Sequence, residues 1–184
     1  MLFRVFPWTP DALPTTAGGA LFVPRAWQGA GRHDNPDSYG ALYLATSPVS
    51  AVAERLQAFR GTQLRASDLR RADGRALALA RLDDSAMENV VDLDEPLELT
   101  RRGLRPSGVA TRDRTRTQPA ALRVFEEGAS GLRWWSTLEA SWINVTAFAD
   151  RALPELSLAG PPQRLTVGMP AVAEAAGLLG VRIT

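Results

Sequence analysis

Apolar and polar positions alternate along this chain in short blocks, and the blocks switch between a two-residue and a helical period. Residues 2–6 read as a strand ended by Pro7, and 9–19 as a turn region rich in Pro, Thr and Gly. Residues 20–23 form a second apolar run, closed by Pro24. Residues 29–40 are loop formers, with Gly29, Gly31, Asp34, Asn35, Pro36, Asp37 and Gly40. The next strand is 41–45. Ser47 as N-cap and Pro48 at the first helical position then start a helix. Its apolar face is Val52, Leu56 and Phe59, and it ends by Gly61.

Further along, 75–82 and 89–93 read as strands. Asp94-Glu95-Pro96 opens a helix running to Gly103, with Arg101 and Arg102 in its last turn, where the helix dipole favours cations. Residues 105–118 are polar and carry Arg105, Arg112, Arg114 and Arg116; 119–127 is helical and stopped by Gly128. The β-formers at 131–136 and 141–145 predict two strands. Late strands at 164–167 and 181–183 flank a helix at 170–179. This order predicts an α+β, or mixed α/β, fold with a central sheet flanked by helices.

Composition narrows the chemistry. A chain of 184 residues with 45% hydrophobic and 22% charged positions suits a single domain spanning 1–184. All 21 basic residues are arginine, so a lysine Schiff base and a P-loop lysine are excluded. No Cys is present and His33 is the only His, which removes thiolate catalysis, disulfides and the common zinc sites. A net charge of +1 gives no general pull toward nucleic acid, and no apolar run is long enough to span a membrane. The N-terminus lacks signal-peptide form, so the expected location is the cytoplasm.

One stretch reads like a site. Arg32, Tyr43 and Glu54 follow one another at intervals of eleven residues, on a loop, a strand and a helix. A fixed cation, an aromatic face and a carboxylate can bind a phosphorylated, ring-bearing, cationic substrate. Structural roles compete for each: Arg32 as a solvated partner of Asp34, Tyr43 as a core or edge aromatic, Glu54 as a surface carboxylate. The Arg105–Arg116 segment reads as a solvated loop or partner surface rather than a nucleic-acid arm. Trp134, Trp135 and Trp142 read as core anchors.

Several fragments in order carry a family resemblance: Phe3-Arg4-Val5-Phe6-Pro7, Gly31-Arg32-His33-Asp34-Asn35-Pro36, Leu42-Tyr43-Leu44-Ala45, Ala53-Glu54 and Gly131-Leu132-Arg133-Trp134-Trp135-Ser136. Together they resemble the RES-domain family, named for its Arg, Glu and Ser. The resemblance implies a fold similar to diphtheria-toxin-type ADP-ribosyltransferases. It also implies an NAD-consuming activity, as phosphorylase or glycohydrolase, in the toxin of a bacterial toxin–antitoxin pair.

NAD would then be substrate, with inorganic phosphate as a potential co-substrate, and no cofactor or metal would be needed. The implied partner is an Xre-type helix-turn-helix antitoxin. Arg32, Tyr43 and Glu54 would be catalytic, Arg32 and Ser136 would bind NAD or phosphate, and Arg4 would be a second phosphate contact. His33 stands where Phe or Trp is common in the family and takes no assigned role. Ser141 competes with Ser136 for the serine position. Protein ADP-ribosylation and a non-catalytic, partner-binding role are the alternative functions.

Overall fold

A computed structural model describes residues 1–184. The fold is mixed α/β, with a central mixed sheet flanked by helices. The strands are β1 (Leu2–Trp8), β2 (Ala41–Ala45), β3 (Gln63–Leu64), β4 (Ala76–Asp83), β5 (Val90–Asp92), β6 (Gly131–Trp135), β7 (Ile143–Phe148), β8 (Ser157–Leu158), β9 (Gln163–Arg164) and β10 (Arg182–Ile183). The α-helices are α1 (Pro48–Leu56), α2 (Pro96–Arg101), α3 (Pro106–Val109), α4 (Arg114–Glu126), α5 (Ala149–Ala152) and α6 (Pro170–Leu179). Packing divides the chain into two compact units. The first comprises Met1–Phe22, Ala45–Asp83 and Leu158–Thr184; the second comprises Val23–Leu44 and Asp84–Ser157.

In the first unit β1 lies antiparallel to β4 along its whole length, from Leu2↔Leu82 to Trp8↔Ala76. The strand does not end at Pro7 as its proline suggests. On its other side β1 meets β2 only at Phe3↔Ala45, so a residue without an N–H fits beyond that point. Helix α1 packs against β1 and α6. Ser47 caps α1 as expected, its side chain accepting the Ser50 N–H at 3.0 Å, and Pro48 follows at the first turn.

The apolar run at residues 20–23 forms no strand. Ala20 and Leu21 are buried, but their backbone closes turns, with Leu21 N–H donating to Pro14 and Phe22 N–H to Gly19. The Ala20 and Phe22 carbonyls accept instead from the Arg4 guanidinium, which takes the place of a ladder partner.

In the second unit β6 pairs parallel with β5 and antiparallel with β7. Its core gathers Tyr39, Leu93, Leu99, Val109, Ala121, Val124, Leu132, Trp134 and Phe148. Helix α4 starts at Arg114, five residues before the expected position. Asp113 caps it by accepting the Thr115 N–H at 3.0 Å, and Pro119 sits inside the helix. A proline there removes one hydrogen bond, which is why the pattern suggested a start rather than an interior. Much of the Arg-rich segment is thus helical.

Candidate functional site

The loop 29–36 of the second unit is built around Asp34. Its Oδ2 accepts the N–H groups of Gly29 (2.8 Å) and Gly31 (2.7 Å), and its Oδ1 accepts the Tyr43 hydroxyl (2.7 Å). Tyr43 Oη in turn accepts the backbone N–H of His33 at 2.9 Å. A side chain at position 31 would displace the Asp34–Tyr43 pair: a Cβ there would lie 2.5 Å and 2.6 Å from the Asp34 oxygens and 2.6 Å from Tyr43 Oη. Burial first, then the Asp34 hydrogen bond and charge, push the Tyr43 phenol well above its usual range. It stays a protonated donor at any physiological pH.

Helix α4 fastens the same loop from outside. Gln118 Nε2 donates to the carbonyls of Gly29 and Gly31, both at 2.9 Å, and Arg114 Nε donates to Ala30 at 3.0 Å. Thr117 Oγ1 donates to the Arg32 carbonyl. Asn35 Nδ2 reaches Tyr39 Oη (2.8 Å) and the Gln118 carbonyl (3.0 Å), and Tyr39 Oη donates to the His33 carbonyl at 2.7 Å. Arg114 therefore works as a brace for the loop rather than as a solvated arm.

Arg32 is 8% exposed, not the solvated loop residue that its Gly/Asp/Asn surroundings suggest. Its Nη1 donates to the carbonyls of Val109 (2.9 Å) and Thr111, and its guanidinium carbon lies 4.5 Å from the Trp134 ring centroid. A desolvated cation over an indole face gains about 2 kcal/mol. Trp134 is both a core residue and the platform for this charge.

His33 is buried against the edge of Trp134, ring centroids 5.2 Å apart, and stacks on Tyr43 at 6.5 Å. Its Nδ1 lies 2.8 Å from Thr146 Oγ1, which also accepts the Trp134 indole N–H at 3.1 Å. Burial, then the positive charges of Arg32 and Arg114, hold His33 well below its ordinary value, so the imidazole is neutral at pH 7. Sequence reasoning gave His33 no role. Its place next to Arg32 as the single histidine was the one available signal.

Ser136 follows β6 and is 3% exposed, two residues beyond Trp134 and on the same side by strand alternation. Its Oγ accepts the Leu138 N–H at 3.0 Å, and its own N–H donates to Trp142 at 2.7 Å. Ser141 lies on an exposed turn, bonded to Glu139. Of the two serines only Ser136 joins the buried polar set. In the second unit that set contains Arg32, His33, Asp34, Thr117, Ser130, Ser136, Asn144 and Thr146. Asp34 and Thr146 from this set, together with Trp134 and Gln118 beside it, are the site-building residues that sequence reasoning missed.

The structure thus links Arg32, Tyr43 and His33 through one hydrogen-bonded and stacked cluster. Glu54 and Arg4 belong to the first unit. Glu54 is half-buried on α1, where Gln57 Nε2 donates to its carbonyl (2.8 Å) and to its carboxylate (3.2 Å). Arg4 donates to Ala20 and, through Nη1 and Nη2 at 3.1 Å, to Phe22; burial pushes its guanidinium down to about 10, so it remains a cation.

The model of the RES domain matches residues 2–167. The chain belongs to the RES-domain family. Against solved structures, this RES-domain chain resembles the crystal structure of the M. tuberculosis MbcT–MbcA toxin–antitoxin complex, with a TM-score of 0.64 and 22% identity. The alignment covers 97% of this chain and 88% of that one, a likeness of fold. No curated protein matches the RES-domain chain significantly. None of its helices is long and apolar enough to cross a membrane.

Proposed function

We propose that this RES-domain protein cleaves the nicotinamide–ribose bond of NAD in the cytoplasm, with residues 1–184 working as one domain. The observation that carries this reading is the family match across residues 2–167. In this reading the protein is the toxin of a bacterial pair, restrained by an Xre-type helix-turn-helix antitoxin. The fold's likeness to a protein from a toxin–antitoxin complex supports the partner class.

Cleavage passes through an oxocarbenium-like state at C1′, so catalysis needs a negative charge beside the ribose and a held leaving group. Glu54 accepts a hydrogen bond from the ribose 2′-hydroxyl and stabilises the developing cation. Tyr43 presents its ring to the nicotinamide, which departs neutral once the C1′–N bond has broken. The buried charge of Arg32 faces the pyrophosphate, Ser136 donates to a phosphate or ribose oxygen, and Arg4 is a second phosphate contact. The acceptor at C1′ is an oxygen of inorganic phosphate or water. No metal or resident cofactor is required by these roles.

Incubating the purified protein with NAD, with and without phosphate, tests the reading. NAD loss is expected, slowed by about 10²–10³ in Glu54→Ala. ADP-ribose-1″-phosphate among the products identifies a phosphorylase, and free ADP-ribose a glycohydrolase. NAD loss equal in Glu54→Ala and wild type would sink the proposal. Transfer of label from NAD to protein would point to an ADP-ribosyltransferase instead.

A further inference from the structure

The two units carry opposite charge: the first holds ten arginines against six carboxylates, the second eleven against fourteen. The excess of the first unit gathers beside the end of β1. There, a cavity of about 460 Å³ is lined by Trp8, Thr9, Pro10, Arg70, Arg75 and Arg164, with Asp73 as its one carboxylate. That volume falls within the usual range for small-ligand sites of roughly 300–1,000 Å³.

The lining is held in place by the backbone. Arg70 bridges to Ala76, and the tight turn between them closes through Arg71 N–H to Arg75 (2.9 Å) and Gly74 N–H to Arg71 (2.9 Å). Gly74 adopts a φ of 84° that the turn needs. Arg70 Nη1 donates to the Gly74 carbonyl at 3.1 Å, and Arg75 pairs with Asp73 through two bonds of 3.0 Å and 2.7 Å. Arg164 is held by its backbone on β9, opposite Ala78 of β4, while its exposed guanidinium has no partner. Trp8 is partly exposed at the β1 end and borders the same space.

A tryptophan beside three arginines and one already-paired aspartate suits a flat ring that carries an anionic group. We propose that this cavity binds a mononucleotide, with the base on Trp8 and the phosphate held by Arg164 and Arg70. Trp8 lies four residues along β1 from Arg4, about 13 Å at strand rise. None of the lining residues has a role in the proposed NAD chemistry, and the inference does not depend on that chemistry.

Adenosine 5′-monophosphate is a suitable probe, titrated into the full-length protein by calorimetry. Binding is expected, and adenosine and inorganic phosphate alone should each bind at least about tenfold more weakly. Arg164→Glu should weaken binding by about tenfold or more while leaving folding intact, since the side chain is exposed and unpaired. Trp8→Leu should also weaken it, and Ser136→Ala should not, which separates this site from the phosphate contacts of the proposed NAD site. Binding unchanged in Arg164→Glu, or equal binding of inorganic phosphate, would overturn the proposal. Tighter binding of a short single-stranded RNA through the same residues would overturn it in favour of a nucleic-acid groove.

Discussion

Replacing Tyr43 by Phe separates two uses of one side chain, because it keeps the ring and deletes only the hydroxyl. In the structure that hydroxyl accepts the His33 N–H at 2.9 Å and donates to Asp34 at 2.7 Å. His33 and Asp34 are 4% and 5% exposed, so water does not readily replace either bond. An unsatisfied buried N–H costs about 1–3 kcal/mol, and a lost bond to a carboxylate about 1.5–3 kcal/mol. Asp34 keeps its bonds from Gly29 and Gly31, which moves the sum toward the lower end, about 3 kcal/mol. For a chain of this size the melting temperature should fall by roughly 6–12 °C. Urea unfolding near neutral pH, with the thermal midpoint alongside, measures this directly. A Tyr43→Phe protein within about 0.5 kcal/mol of wild type would refute the network as a source of stability. Tyr43 would then be left with its ring alone.

The remaining predictions concern charge and burial. His33 is held well below its ordinary value of 6.5, so the unfolded chain binds the extra proton first as pH falls. Its contribution is therefore fully present above pH 6.5 and lost as pH drops below that value, by up to about 1.4 kcal/mol per pH unit. Denaturation at pH 5 and 7 should show a smaller pH difference in His33→Gln than in wild type; an equal difference would count against a buried neutral imidazole. Ser136→Ala should destabilise by about 1 kcal/mol through the stranded Leu138 N–H, whereas Ser141→Ala stays within about 0.5 kcal/mol, both read by urea midpoints. Arg102, its side chain 6% exposed, pairs with Glu98 and Glu127 and leaves its Nε without a partner. Arg102→Met should be neutral or stabilising, because both glutamates are exposed enough to hydrate and also pair with Arg101; a loss above about 3 kcal/mol would contradict this.

Elements with their own local signals were legible from the sequence. Ser47-Pro48 placed α1, residues 41–45 placed β2, and Pro170 placed α6, because caps and periodicity act over a few residues. Elements decided by distant partners were not. The apolar run at 20–23 turned into turns because Arg4 satisfies its carbonyls, and Pro119 lies inside a helix rather than at its start. The same division holds in the site. Residue types singled out Arg32 and Tyr43, but not that Trp134 lies under the Arg32 charge or that Asp34 organises the loop. Those contacts join positions about a hundred residues apart, or depend on a carboxylate turned inward, and neither leaves a spacing to read.

The order in which the segments leave the ribosome matters for Glu54. Its helix, α1, packs against α6, a helix encoded more than a hundred residues downstream. β3 likewise pairs in parallel with β10, through Gln63↔Arg182 and Leu64↔Ile183. All segments of the second unit are synthesised before α6, while the helix bearing the carboxylate still lacks one of the surfaces that hold it. Closing so long a loop is also entropically slow to reward. Arg32 and Tyr43 thus lie in a unit whose segments have all emerged before α6, whereas the helix that carries Glu54 gains its α6 surface only afterwards, so of the three residues Glu54 is the last to be fixed.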